Sequence, residues 1–276
     1  GSKDAVVLVH GFENTPERFE DIVNDIRLTK QPWQVWTFGY PSNQPIEENA
    51  KDLADLLQLN SKGSDFVYLA AHSMGGLVVE QALRYAYDQN QGKSEPIYPF
   101  VNKVIKAVLI ATPNKGALTQ DPTSILNMLL NSDAIAGLFN IKSSVISELM
   151  TGKNIPRVPG IEYLVVAGTQ SYSFTKYFGI NETSDGLVSV SSAQTVGGQE
   201  INNPCDNFWA INTTHTDILN NFDSRRIVER IVAKEINTDV SNKVSMGRSQ
   251  YYNLEVTCSP DDQYFVIGMP VEKKAA

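Results

Sequence analysis

Residues 65–79 read DFVYLAAHSMGGLVV, and the way this stretch changes character decides the fold. Asp65 to Ala71 is a short apolar run of the kind a strand shows when both of its faces are covered. From Gly75 to Asp88 the apolar residues fall on helical spacing. Between the two, Ala71-His72-Ser73-Met74-Gly75-Gly76 sets a serine among small residues at the point where strand meets helix. A nucleophilic serine needs this position, because a tight turn pushes its hydroxyl out at the C-terminal edge of the sheet. The small neighbours let the turn close, and the following helix aims free N–H groups and its positive end at any anion formed beside the serine. The first small position holds Ala71 rather than glycine, and an alanine methyl still fits. The plain structural alternative is a Gly-rich strand–helix turn with no chemistry.

Working outward, apolar strands alternate with amphipathic helices, which predicts βαβ units and a mostly parallel sheet. The strands expected are Ala5–Val9, Gln34–Tyr40, Asp65–Ala71, Val104–Ala111, Ile161–Gly168 and Phe208–Asn212. Helices are expected from Pro16 to about Leu28, with Thr15 as N-cap, and over Ile46–Leu59, Gly75–Asp88 and Ser224–Ile236. The fold class is therefore α/β, a sheet of about six strands with helices on both faces, in one catalytic domain over residues 5–236.

Two stretches break the alternation. Residues 115–158 exceed a single crossover helix, and their apolar residues cluster around Leu126, Leu129 and Leu130, then around Val145, Ile146, Leu149 and Met150. They leave a strand at the edge where Ser73 belongs, so they are expected to form a helical lid, with Leu126, Leu129, Leu130, Leu138 and Phe139 lining it or the substrate pocket. The alternative is an ordinary helical layer packed on the core. Residues 238–276 read as β, with Tyr251–Thr257 and Tyr264–Met269 around a Ser-Pro-Asp-Asp turn, and are expected to pack on the core as a hairpin.

The other residues a serine nucleophile requires follow from chain position. His10-Gly11-Phe12 comes after the first strand and shares the C-terminal sheet edge with Ser73. There the Phe12 and Met74 amides form a candidate oxyanion hole. Only three histidines exist, at positions 10, 72 and 215. His10 belongs to the oxyanion loop and His72 points away from its neighbour's hydroxyl, so His215, after the last expected strand, is the candidate base. The acid that orients it is Asp185, in Ser184-Asp185-Gly186-Leu187-Val188, between serine and histidine in the chain. Asp206 and Asp217 compete for that role.

Composition narrows the function classes. The 276 residues carry 31 Asp and Glu against 23 Lys and Arg, a net charge of -8, so no basic face offers itself to nucleic acid. No apolar run approaches the roughly 20 residues that span a bilayer. Two cysteines, Cys205 and Cys258, make no disulfide framework and are read either as one bond or as two unrelated thiols. No Cys/His spacing suggests zinc. The chain opens Gly1-Ser2 without Met and reaches a strand by Ala5, which reads as a cloning remnant and leaves localisation unknown, with a secretion signal or upstream domains among the options.

Taken together, Val-His-Gly-Phe (9–12), Ala-His-Ser-Met-Gly-Gly (71–76), Ala-Thr-Pro-Asn-Lys-Gly (111–116), Ser-Asp-Gly-Leu-Val-Ser-Val (184–190) and His215 resemble a bacterial-type serine lipase or esterase of the α/β-hydrolase superfamily. The alanine variant of the serine turn resembles the small Bacillus lipases. The Thr-Pro-x-x-Gly and Asp-Gly-Leu-Val segments resemble the lidded Pseudomonas–Burkholderia lipases and the deacylases of glycosylphosphatidylinositol anchors. The resemblance covers about Val6 to Ile236. It implies hydrolysis of lipid or other acyl esters through Ser73, His215 and Asp185, with no cofactor and with transient contact to a membrane surface through the lid. It leaves a phospholipase A1 or lipid deacylase domain as the alternative, and a non-catalytic binding protein on the same fold as the competing class. In some lidded lipases an Asp two residues after the catalytic His ligates calcium. Asp217 matches that position, although no partner carboxylate is evident.

Overall fold

The computed structural model describes residues 4–12, 14–29, 33–118, 143–171, 182–203 and 207–232. Its centre is a six-stranded sheet, ordered β2-β1-β3-β4-β5-β8. The strands are β1 (Ala5–Val9), β2 (Gln34–Phe38), β3 (Val67–His72), β4 (Val104–Ile110), β5 (Glu162–Gly168) and β8 (Phe208–Ile211). Every neighbouring pair is parallel. The short β6 (Thr195–Val196) and β7 (Gln199–Glu200) pair antiparallel on their own.

Parallel strands run in one direction, so all their C-terminal ends lie on one edge. The loops after β1, β3, β4, β5 and β8 meet there. The six strands expected from the sequence all form, β1 with the expected ends and the others with ends shifted by one or two residues. The expected first helix opens as a 3-10 turn over Pro16–Phe19 before α1 (Glu20–Leu28). Three further helices are α2 (Ile46–Asn60), α3 (Met74–Asn90) and α6 (Phe222–Val232). The pattern did not announce α5 (Val190–Gln194), whose five residues are too short for a helical period to register.

Strand periodicity divides the core in two. Val7, Val9, Leu69, Ala71, Leu109, Val165 and Ala167 face α2, α3 and α5. Val6, Leu8, Tyr68, Ala70, Ile110, Leu164 and Val166 face α1 and α6. The stripe Val145, Ile146, Leu149 forms α4 (Ser143–Thr151) and is buried in the first of these cores. This end of the 115–158 insertion packs on the core with its apolar stripe buried. Ala117 N–H donates to Leu149 O at 2.9 Å, and Ile46 N–H to Glu148 Oε2 at 3.2 Å. The lid residues Leu126, Leu129, Leu130, Leu138 and Phe139 lie outside the described residues, as do Cys205, Cys258 and the expected hairpin at 238–276.

Candidate active site

β3 ends at His72 and α3 begins at Met74, leaving Ser73 alone to make the turn. Its backbone sits at φ 53°, ψ -127°, a conformation that costs a residue with a side chain about 1–3 kcal/mol. Ser73 N–H donates to Ile110 O at 2.8 Å, and Ser73 O accepts from Gly76 N–H at 3.0 Å, so both sides of the turn are tied. The two glycines allow a very close approach. A Cβ on Gly75 would stand 2.3 Å from His10 O, and one on Gly76 1.9 Å from Thr112 Oγ1. At the first small position, the Ala71 methyl is simply part of the core.

The loop after β8 brings His215 to Ser73. His215 Nε2 lies 3.0 Å from Ser73 Oγ, and Nδ1 lies 2.7 Å from Asp185 Oδ2. The other carboxylate oxygen, Asp185 Oδ1, accepts the Leu187 N–H at 2.9 Å and the Val188 N–H at 2.7 Å. These amides orient the acid, while His215 N–H donates to Asp185 O at 2.9 Å. A carboxylate facing Nδ1 holds the proton there, which leaves Nε2 bare to accept from the serine hydroxyl. Ser73, Asp185 and His215 are 2%, 0% and 2% exposed, so little water screens the chain of hydrogen bonds.

The competing acids fare differently. Asp217 closes its own turn: Thr214 Oγ1 donates to Asp217 Oδ2 at 2.7 Å, and Asp217 N–H returns to Thr214 Oγ1 at 3.3 Å. Asp206 lies outside the described residues. Among the described residues no group of three or more His, Cys, Asp or Glu side chains is placed to hold a metal ion.

The loop after β1 is built around His10. Its Nδ1–H donates to Gly11 O at 2.8 Å, and Tyr40 N–H donates to its Nε2 at 3.2 Å. Tyr40 stacks on the imidazole with ring centres 4.3 Å apart, and its hydroxyl donates to His10 O at 2.6 Å. Burial pushes the His10 pKa down, which suits a ring that must accept at one nitrogen. Gly11 O and Phe12 N–H belong to one planar peptide, so fixing the carbonyl fixes the amide. Neither the Phe12 nor the Met74 amide donates to an acceptor among the described residues.

The acid loop has support of its own. Ser184 and Ser189 form an isolated bridge, and Leu118 N–H donates to Leu187 O at 2.8 Å. From the loop after β4, Asn114 Nδ2 donates to Ala193 O at 3.0 Å, and Lys115 N–H to Ser192 Oγ at 3.0 Å. Sequence reading missed these supports, and it missed the Tyr40–His10 pair. The one signal on offer was an aromatic residue just after a strand.

Compared by sequence, the chain matches no family profile and no curated protein. Compared by structure, it is similar to the mature lipase BlEst2 of Bacillus licheniformis, at 17% identity and TM-score 0.59, over 86% of this chain and 93% of that one. It is similar to phospholipase PlaB of Legionella pneumophila, solved with thio-NAD, at 13% identity and TM-score 0.55, over 83% of this chain and 58% of that one. A type II thioesterase of a yersiniabactin pathway, YbtT, aligns at 12% identity and TM-score 0.54, over 84% and 93% of the two chains. At such identities the likeness is one of fold.

Proposed function

The chain has the α/β-hydrolase fold, and from that premise we propose that it is a serine carboxylic-ester hydrolase. One observation carries the reading: Ser73 Oγ, His215 and the Asp185 carboxylate stand in a continuous chain of hydrogen bonds of 3.0 and 2.7 Å at the C-terminal sheet edge. In this mechanism Ser73 Oγ attacks the ester carbonyl carbon while His215 Nε2 takes its proton. Asp185 stabilises the imidazolium that results and keeps its proton on Nδ1. The carbonyl oxygen becomes an oxyanion, for which the Phe12 and Met74 amides are the donors. His215 then protonates the departing alkoxide, leaving an acyl-enzyme. Water attacks that ester with His215 again as base, releasing the acid and restoring the serine.

The substrates proposed are lipid or other acyl esters, with phospholipase A1 or lipid deacylase activity as the alternative within the same chemistry. The names of the structural neighbours, a lipase, a phospholipase and a thioesterase, support acyl transfer without choosing the head group. No described helix is long and apolar enough to cross a membrane. No step calls for a cofactor. EDTA should leave the rate unchanged, whereas loss restored by calcium would assign Asp217 a metal.

A fluorophosphonate should add its phosphonyl group to Ser73 with loss of fluoride, and Ser73→Ala should abolish labelling. An unlabelled but folded wild type would favour the non-catalytic binding protein. Product analysis on short-chain esters and phospholipid vesicles would then rank the substrates.

A further inference from the structure

Two side chains outside the triad hold the backbone of the candidate base. His72 is fully buried beside Ser73 and lies on the α1/α6 side of the sheet, the face taken by Tyr68 and Ala70. Its Nε2 is 3.1 Å from His215 O. A carbonyl can only accept, so Nε2 carries the proton and Nδ1 is bare; Nδ1 has no partner among the described residues. The ring lies 5.0 Å from the His215 ring, tilted 40°, and a Cβ on Gly11 would come within 3.1 Å of Nδ1. One imidazole is thus wedged between the serine turn, the loop after β1 and the loop of the base. The next carbonyl, Thr216 O, accepts from Arg18 Nη2, which reaches over from the 3-10 turn after β1.

We infer that His72 and Arg18 act as a two-point clamp on consecutive carbonyls of the His215 loop, making them positioning residues that hold the base over Ser73. The inference rests on the ester-hydrolase reading for its consequence in rate, though not for its geometry. His215 N–H is already committed to Asp185 O, so the clamp fixes the opposite side of the same residue. Without it the His215 and Thr216 carbonyls lose these donors and His215 is held from the Asp185 side alone, and a shift of roughly 1 Å at a catalytic group costs about 10²-fold. The ring also has to stay neutral, because a second cation beside His215 would oppose the imidazolium. Burial first, then the nearby His215, Arg18 and His10, keep the His72 pKa well below its ordinary value.

The test uses the full chain and a soluble short-chain ester, with kcat and KM determined separately. His72→Phe keeps the ring and removes the donor; it should lower kcat about 10²-fold with KM nearly unchanged. His72→Gln, whose amide N–H can reach the same carbonyl, should recover most of that loss. Arg18→Met removes the other donor from a half-buried side chain and should cost roughly tenfold in kcat, which keeps the test alive if His72→Phe does not fold. The low-field proton resonance of the His215–Asp185 hydrogen bond gives a readout independent of turnover. It should be sharp in wild type and His72→Gln and broadened by exchange in His72→Phe. Wild-type kcat with an unchanged resonance in His72→Phe and Arg18→Met overturns the clamp. So do equal losses in His72→Phe and His72→Gln that merely track a fall in melting temperature. An inert wild type fails the ester-hydrolase reading instead, and the resonance still decides on the clamp.

Discussion

At Ser73 the backbone holds φ at 53°, and two glycines let neighbouring loops touch the turn. Ser73→Ala and His215→Ala should each lower ester hydrolysis by roughly 10⁴-fold or more while leaving the melting temperature near that of wild type. Asp185→Asn should cost several orders of magnitude, because an amide can donate to the ring and hold the wrong tautomer. A milder loss from Asp185→Asn than from Asp217→Asn would move the acid to Asp217. Gly75→Ala belongs to another class of change. Its Cβ would meet two backbone carbonyls, His10 O at 2.3 Å and Val9 O at 2.5 Å, and neither can rotate away. The turn must then lift from the loop after β1, so thermal melting should show a fall of several degrees alongside lost activity. The residue types of this site were legible in the sequence because a strand–serine–helix turn tolerates so few substitutions. The contacts of His72 and Tyr40 were not, since each joins loops that are far apart in the chain.

Among the elements, α3 carries an unusual burden. Glu80, one turn after Gly76, is buried with Oε2 unpartnered among the described residues, and burial raises its pKa well above 4.5. In the unfolded chain it ionises at its ordinary pKa, while in the fold it stays protonated to higher pH. Stability linked to Glu80 is therefore greatest below the ordinary pKa and is lost as pH rises toward the folded value. Glu80→Gln should remove that slope. In urea unfolding the variant should gain on wild type between about pH 5 and about pH 8, with little difference at about pH 4. A constant difference across that range would mean that Glu80 ionises in the fold as it does outside it. Helix α4 offers the complementary lesson. Its spacing of one and four residues was readable, but the same stripe suits a lid or a core layer. The structure shows that Val145 and Leu149 are buried against the core.

For the molecule as a whole, one sheet supplies both cores, with alternate residues of each strand committed to opposite faces. The α1/α6 side is tied further by Arg225, whose Nε lies 2.7 Å from Asp25 Oδ2. Because the strands are shared, the two faces should melt together. Leu149→Ala on one face and Ile227→Ala on the other should each remove about 2–5 kcal/mol and shift the same transition, followed by near- and far-UV circular dichroism. Two separated transitions would mean that the faces unfold as independent units.

By itself the sequence determined the alternation of strands and helices, the serine turn and the chain order of serine, acid and histidine. These are local matters: side-chain period, small-residue spacing and position after a strand act within a few residues. It favoured Asp185 over Asp206 and Asp217 as the partner for His215, on chain order and position. The tertiary structure brings the Asp185 carboxylate to Nδ1 and turns Asp217 onto Thr214, a choice that depends on how the loops after β5 and β8 cross at the sheet edge. It likewise packs the apolar stripe of α4 on the core and sets His72 and Arg18 against the His215 loop. The His72 and Arg18 contacts join residues more than a hundred positions apart. No pattern within a window of sequence encodes them, because their geometry exists only once the sheet has gathered its loops on one edge.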